Sequence, residues 1–233
     1  MAKKELSEFV MDDKEKLESL NIREKYKAAT RPIDYYKEID TLYLDSLGEG
    51  DRFFLQDFGI YNNELNDDEF MLRLRFIGGR ISTQDLKHIA RIVKDNDLYI
   101  ILTARAGMQL HGLDEDNVFD VYNELKSLNI NTWQSFGDNV RNITTDIFDG
   151  RAKENHINVY PYIEQMTDWI LKNPEYVGLL PRRISTGISG SSANGASFYA
   201  SDLYFALAQK DGVYGFNVLM GGKNTEIAQD ANI

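Results

Sequence analysis

Three short segments combine arginine with other polar side chains and with glycine, a mixture suited to binding an anion. The first holds four polar side chains at close spacing: Thr103, Arg105, Gln109 and His111. The second reads Gly-Asp-Asn-Val-Arg-Asn over residues 137–142, and the third reads Leu-Pro-Arg-Arg over 180–183. Arginine stays charged, so an arginine held near a core needs a carboxylate, a phosphate or a similar anion. The sequence therefore predicts that the three segments converge on one polyanionic ligand.

Alternating helical and extended patterns precede and separate the first two segments. Phe70–Ile77 alternates strictly, as a half-buried strand does, and a helix capped by Ser82 or Thr83 follows it. Leu98–Leu102 is an apolar run that predicts a strand covered on both faces. A second helix with inward Val118 and Leu125 leads to a third predicted strand, Asn131–Phe136. This β-α-β-α-β order predicts an α/β sandwich of ferredoxin-like type.

The flanking regions have different textures. Residues 1–66 predict a charged helical arm followed by an aromatic cluster at 51–61 that docks on the domain behind it, and Asn62–Glu69 predicts a polar linker. Beyond 137, the sequence predicts a loop and then a helix that starts at Pro161 with Trp169 among its inward residues. Strands are predicted at Arg183–Ile188, Asp202–Ala208 and Tyr214–Met220. The predicted units are therefore an arm at 1–66, a ferredoxin-like domain at 67–137 and an α+β domain at 138–233.

Composition excludes several classes of function. A net charge of −11 argues against a nucleic-acid binder. The absence of cysteine excludes thiolate zinc sites and any iron–sulfur cluster ligated by cysteines of this chain, and three histidines make a multi-histidine metal centre improbable. No apolar run reaches the roughly 20 residues of a membrane helix, so we expect a cytoplasmic protein without a membrane partner.

Five motifs in order resemble those of the siroheme-dependent nitrite and sulfite reductases. They are Phe70–Arg75 with Gly78-Gly79-Arg80, Leu102–Arg105 with Gln109–Gly112, the 137–142 loop, the 180–183 segment, and the Gly-Phe-Asn-Val-Leu-Met-Gly-Gly strand at 215–222. The resemblance implies a ferredoxin-like α/β sandwich followed by a partial siroheme-binding α+β domain. It corresponds to the first half of a pseudo-duplicated enzyme. The second half, with the cysteines of a 4Fe-4S cluster, would lie in the same longer polypeptide or in a partner chain.

The resemblance also implies roles for individual residues. Arg105 and Arg141 would face a small oxyanion that is reduced by six electrons, and Arg183 occupies the position of a catalytic lysine. Residues that would hold the siroheme or its loops are Thr103, Gln109, His111, Asn139, Asn142, Arg182, Gly221 and Gly222. Ala106 departs from the motif, which has glutamine there. Ser185 stands where sulfite-type enzymes carry a second lysine, and this favours nitrite over sulfite. Ferredoxin is the type of electron donor expected.

Other interpretations remain open from the sequence alone. Arg105 and Arg141 could be structural residues that cap carbonyl groups, and Arg73 and Arg75 could form the solvent face of their strand. A non-catalytic tetrapyrrole-binding or interaction module that kept this half-fold is the main alternative function. An anion-binding α/β transferase is a third.

Overall fold

The computed structural model describes residues 19–35, 47–63, 66–193, 201–221 and 229–230. Its α-helices are α1 (Ile22–Ala29), α2 (Pro32–Tyr35), α3 (Glu49–Leu55), α4 (Thr83–Asp95), α5 (Val118–Ser127) and α6 (Tyr160–Lys172). Its strands are β1 (Ile60–Asn63), β2 (Asn66–Leu74), β3 (Tyr99–Leu102), β4 (Met108–Leu113), β5 (Thr186–Ser189), β6 (Leu203–Lys210), β7 (Val213–Met220) and β8 (Gln229–Asp230). Single 3-10 turns lie at Gln56–Phe58, Ile77–Gly79 and Pro174–Tyr176. The predicted α+β class is confirmed.

The first sheet has the strand order β1-β2-β4-β3, and each neighbouring pair is antiparallel. One face packs on α4 and α5 around a core that includes Leu72, Leu110, Ile89 and Leu125. Because side chains alternate along a strand, the residues between these core positions point to the opposite face. There Arg73 lies directly across from Gln109, and Met71 lies across from His111.

The predicted element order of this unit is wrong in one respect. The third strand is β4, which carries Gln109 and His111 of the first polar segment and was not predicted as a strand, and Asn131–Phe136 forms no strand. Local side-chain hydrogen bonds shape that segment instead, since the backbone N–H of Trp133 donates to Oδ1 of Asn131 at 2.7 Å. The outer position next to β2 is filled by β1, which comes from the chain before the sandwich.

The prediction of a strand buried on both faces at Leu98–Leu102 is also wrong. All four residues of β3 are exposed, and Leu102 is 76% exposed. The strand lies at the edge of the sheet, so it has a neighbour on one side only. An apolar run was taken for burial, but a run this short does not reveal its place in the sheet.

The predicted aromatic docking segment is confirmed, whereas the predicted linker is wrong. Phe54 and Phe58 are buried in the same core as the sheet, together with Tyr35. Asn62–Glu69 contributes to the antiparallel β1–β2 pair. The parts of the predicted arm at 1–18 and 36–46 lie outside the described residues.

The second sheet has the order β5-β6-β7-β8, with β5 parallel to β6 and the remaining pairs antiparallel. The three predicted strands in this region correspond to β5, β6 and β7. Helix α6 starts next to Pro161 as predicted, and Ile163 is buried with Val159. Trp169 is 60% exposed, so its predicted inward position is wrong, and Thr167 is buried instead. No helix in the described parts of the chain is long and apolar enough to span a membrane.

Candidate anion-binding site

The structure brings the three predicted segments together, along with one arginine from the first sheet. Arg73 lies on β2, Arg105 on the turn between β3 and β4, Arg141 in the 137–142 loop, and Arg183 just before β5; we call them the four-arginine cluster. Arg141 and Arg183 are neighbours because the backbone of the 137–142 loop is hydrogen-bonded to the segment that contains Arg183. The N–H of Arg141 donates to the carbonyl of Ile184 at 2.9 Å, and the N–H of Ile184 donates to the carbonyl of Asn139 at 3.0 Å.

The electrostatics of the cluster show that these charges lie close together. Burial, together with the charges of Arg105 and Arg183, lowers the pKa of Arg73 to about 10. Burial, together with repulsion from Arg73, Arg105 and Arg183, lowers the pKa of Arg141 to about 9, while Asp138 opposes the shift. The pKa of Arg105 is lowered by burial and by Arg183, while Asp202 acts in the opposite direction. A bound anion would reduce the repulsion between these positive charges.

Arg141 is buried and firmly held. Its Nη1 donates to the carbonyl of Ser135 at 2.9 Å, and its Nη2 donates to the carbonyl of Gly137 at 2.8 Å. Its guanidinium also lies 4.8 Å from the ring centroid of Phe136, and Arg73 lies 4.6 Å from the same centroid. Aromatic faces attract cations, so Phe136 offsets part of the repulsion between the two arginines. Arg141 therefore caps carbonyl groups and is also a member of the four-arginine cluster.

Gln109 and His111 extend the polar face of the first sheet from Arg73. In the amide orientation that satisfies both neighbours, Oε1 of Gln109 accepts from Nε of Arg73 at 3.1 Å, and Nε2 of Gln109 donates to Nε2 of His111 at 3.2 Å. Burial lowers the pKa of His111, opposed by Glu69 and assisted by Arg73. In this orientation Nε2 of His111 is the acceptor, which corresponds to the tautomer with the proton on Nδ1.

Arg75 is not on a solvent face, and that interpretation of the sequence is wrong. It is 4% exposed, and its Nη2 donates to the carbonyls of Val140 and Arg141, both at 2.9 Å. Burial lowers its pKa to about 10. Arg73 is partly buried, and its guanidinium lies over the ring of Phe136. Alternation along a strand cannot show that a distant segment covers its other face.

A tight turn presents Arg105. The N–H of Thr103 donates to the carbonyl of Gly107 at 3.0 Å, and the N–H of Gly107 donates to Oγ1 of Thr103 at 3.2 Å. Nδ2 of Asn142 donates to the carbonyls of Arg105 and Ala106, at 2.9 and 3.1 Å. Thr103 and Asn142 thus act here on the backbone that carries Arg105.

The side chain of Arg105 reaches the third segment. Its Nε donates to Oγ of Ser185 at 3.2 Å. The position where the motif departs from the lysine pattern is therefore a direct neighbour of a predicted substrate-facing arginine. Arg182 and Arg183 are exposed in the chain as described.

Gly221 is connected to Ser185 by hydrogen bonds to Asp202. Its N–H donates to the carbonyl of Asp202 at 3.0 Å, and Oδ2 of Asp202 accepts from the N–H of Ser185 at 2.6 Å. Gly221 has a φ of 81°, and a side chain there would meet no atom of the described chain within 4 Å. It therefore offers open backbone of the type that a bound group can approach. Gly222 lies outside the described residues.

Asn139 is buried, and its side chain is hydrogen-bonded to three other residues of the chain. It is 1% exposed; its Nδ2 donates to Oδ1 of Asp57 at 2.6 Å and to the carbonyl of Phe136 at 2.9 Å, and its Oδ1 accepts from the N–H of Gly178 at 2.8 Å. Sequence reasoning missed Asp57, because one acidic residue in an aromatic segment carries no signal of its distant partner.

Lys27 was also missed. It belongs to the predicted charged helical arm, but its ammonium group is not simply solvated. Its Nζ donates to Oδ2 of Asp138 at 2.8 Å and to the carbonyl of Leu180 at 2.7 Å, in a partly buried position.

Two family models match the chain. The nitrite/sulfite reductase ferredoxin-like half domain matches residues 63–128, and the nitrite and sulphite reductase 4Fe-4S domain matches residues 136–232. The chain belongs to the nitrite/sulfite reductase family. It contains no cysteine, so the cluster named in the second description has no thiolate ligand from these 233 residues.

Related proteins include both kinds of reductase. The ferredoxin–nitrite reductase of Leptolyngbya laminosa is 29% identical over 88% of this chain and 42% of its own length. The sulfite reductase [NADPH] hemoprotein beta-component 1 of Klebsiella pneumoniae is 26% identical over 75% of this chain and 37% of its own length. The Mycobacterium tuberculosis NirA structure shares the fold, with a TM-score of 0.78 and 22% identity over 91% of this chain and 43% of that chain. This chain thus spans less than half of each.

Proposed function

We propose that this chain is the first half of a siroheme- and iron–sulfur-dependent reductase of nitrite or sulfite, and that the four-arginine cluster forms its anion-binding surface. The observation that carries the proposal is the convergence of four arginines in a protein whose net charge is −11. Membership of the nitrite/sulfite reductase family supports the same reaction class. The division into units at 1–66, 67–137 and 138–233 remains part of the proposal.

The residues present fit an anionic macrocycle. Nε of Arg141 and both Nε and Nη1 of Arg75 are buried and make no hydrogen bond to any described residue. The cluster also has few acids nearby, with Asp202 beside Arg105 and Asp138 beside Arg141. Siroheme carries many carboxylates, so guanidinium groups and open backbone such as that of Gly221 match its chemistry. When bound, siroheme would supply the iron and electron transfer that no amino-acid side chain provides.

The arginines would bind and orient the substrate. Arg105 and Arg141 come from different loops and would hold the oxyanion by charge-assisted hydrogen bonds. Arg183 is a fixed positive charge at the position of a lysine in the family motif, so it would attract the anion but donate protons poorly. Ser185, which lacks a charge and accepts from Arg105, favours nitrite as the substrate.

The remaining components would come from outside this chain. A second reductase half would supply the cysteines of the 4Fe-4S cluster, because this chain has none. Ferredoxin is the proposed electron donor, as in the name of the Leptolyngbya laminosa relative. We also propose that the protein acts in the cytoplasm.

The proposal is tested by producing the complete gene product together with the enzymes of siroheme synthesis. We expect a tetrapyrrole absorbance band, iron, acid-labile sulfide, and turnover of nitrite with reduced methyl viologen that exceeds turnover of sulfite. A protein with bound tetrapyrrole but no turnover of either anion would favour the non-catalytic module. A protein without tetrapyrrole, iron or turnover would contradict both.

A further inference from the structure

Asp57 occupies a fixed point in the core of the first unit. It lies in the 3-10 turn Gln56–Phe58, and the ring of Phe58 packs edge-on against Trp133 at a centroid distance of 5.0 Å. The carbonyl of Asp57 accepts from the N–H of Gln134 at 2.6 Å, and the carbonyl of Gly59 accepts from the N–H of Arg73 at 2.9 Å. The turn is thereby tied to β2 and to the segment that leads into the 137–142 loop.

The carboxylate of Asp57 faces both loops that carry the later arginines. Its Oδ1 accepts from Nδ2 of Asn139, and Oδ1 of Asn139 accepts from the N–H of Gly178, so one chain of hydrogen bonds joins the two loops. A Cβ added to Gly137 would lie 2.7 Å from Oδ1 of Asp57, and one added to Gly178 would lie 2.7 Å from Oδ2. Both loops thus approach the carboxylate at a distance that only glycine permits.

Lys27 makes a second connection between the same loops. Its ammonium group contacts Asp138 in the first loop and the carbonyl of Leu180 in the second. Arg141 follows Asp138 by three residues, and Arg183 follows Leu180 by three residues. Two side chains from the region before the first sheet therefore meet the arginine loops at corresponding places.

We propose that Asp57 is a positioning residue that holds the loops of Arg141 and Arg183 in the arrangement that closes the four-arginine cluster. The predicted effect on catalysis rests on the proposed function. The predicted effect on the position of the loops rests only on the hydrogen bonds. Asp57 touches neither substrate nor cofactor; it acts through Asn139 and Gly178.

The test compares Asp57→Ala with Asp57→Asn in the complete gene product. Asparagine is nearly isosteric and retains an oxygen that accepts from Asn139, whereas alanine leaves Asn139 without that partner. Hydrogen exchange is measured in peptides that cover 136–142 and 178–184, and peptides that cover α4 serve as the internal reference. Steady-state kinetics with nitrite give kcat and KM separately.

We expect Asp57→Ala to accelerate exchange about tenfold or more in the two loops, with no change in α4. We also expect kcat to fall on the order of 10²-fold, as it does when a catalytic group is displaced by about 1 Å, with a smaller change in KM. Asp57→Asn should retain the loop protection and remain within about threefold of the wild-type kcat. Asp149→Asn is the matched control, because Asp149 is an equally buried acid that accepts from the N–H groups of Val159 and Tyr160 at the start of α6.

Three results would overturn the inference. They are exchange that rises equally in α4, a folded Asp57→Ala protein with wild-type exchange in both loops, and Asp57→Asn behaving like Asp57→Ala. If Asp57→Ala does not fold, Asp57→Ser replaces it, since the shorter hydroxyl does not reach Asn139. A wild-type protein without reductase activity would count against the proposed function alone, because the exchange comparison still decides whether Asp57 positions the loops.

Discussion

At the scale of single residues, the central feature is that the four arginines of the cluster lie close together although their charges repel one another. Arg141 is 5% exposed and has three arginines close enough to lower its pKa. Its Nη atoms are satisfied by the carbonyls of Ser135 and Gly137, which fix its direction. A buried cation whose direction is fixed in this way needs little reorganisation to bind an anion.

Replacing Arg141 with alanine should reduce kcat/KM for nitrite in the complete enzyme by a factor on the order of 10²–10³. It should also cost about 1–3 kcal/mol of stability, because two buried carbonyls lose their donors. Denaturant unfolding and steady-state kinetics measure the two effects separately. Arg151→Ala, at an exposed arginine outside the cluster, should change neither. Wild-type turnover in Arg141→Ala would remove this residue from the proposed site.

Asp57 makes a prediction about pH and stability. Burial is the main cause that raises the pKa of Asp57 to about 7; Asp138 acts in the same direction, whereas Asn139, Lys27 and Arg141 oppose the shift. A carboxyl group whose pKa is higher in the folded state stabilises that state below the unfolded pKa, near 4, and loses this contribution as pH rises to about 7.

Asp57→Asn cannot ionise, so we expect its free energy of unfolding relative to wild type to increase between about pH 4 and 7. The gain should be no more than about 4 kcal/mol, at 1.36 kcal/mol per pKa unit. Urea unfolding at several pH values measures it. A constant difference between the two proteins across this range would show that Asp57 does not titrate there.

At the scale of elements, the packing of the chain next to β5 depends on a close backbone crossing that only a small residue allows. The carbonyl of Gly190, just after β5, accepts from the N–H groups of His156 and Ile157. A Cβ at Gly190 would lie 1.8 Å from the carbonyl oxygen of Ile157, whereas a Cβ at Gly215 in β7 would meet nothing within 4 Å.

Gly190→Ala should therefore destabilise the protein by about 3 kcal/mol or more, the upper range for overpacking, because the clash is with backbone. Gly215→Ala should have an effect within about 0.5 kcal/mol of zero, as surface substitutions do. Thermal unfolding of both variants provides the comparison. Similar melting temperatures for the two would mean that the crossing next to β5 is looser than described.

The elements also show where sequence patterns were insufficient. The alternation in β2 correctly identified Leu72 and Leu74 as core residues. It could not distinguish a face open to water from one covered by a second unit, and so it misplaced Arg75. The apolar run at β3 was predicted to be buried but is exposed, because its exposure is set by its place at the edge of the sheet and not by its composition.

At the scale of the whole molecule, the absence of cysteine leads to a prediction about cofactor content. The 233-residue chain produced alone should contain no acid-labile sulfide, because it has no thiolate to ligate a cluster. The chain together with the proposed second reductase half should contain iron, labile sulfide and bound tetrapyrrole. Colorimetric sulfide assays and visible spectra of the two proteins test this. Stoichiometric labile sulfide in the chain alone would contradict the proposed division of ligands.

The sequence by itself determined the family, the three arginine-bearing segments and most of the element types, because motifs and hydrophobic periods are local properties of the chain. Only the tertiary structure decided which faces are covered, that Arg73 joins the cluster, and that Asp57 and Lys27 contact its loops from more than eighty residues away. Burial and electrostatic coupling depend on what distant segments bring into contact, and no local pattern records that contact.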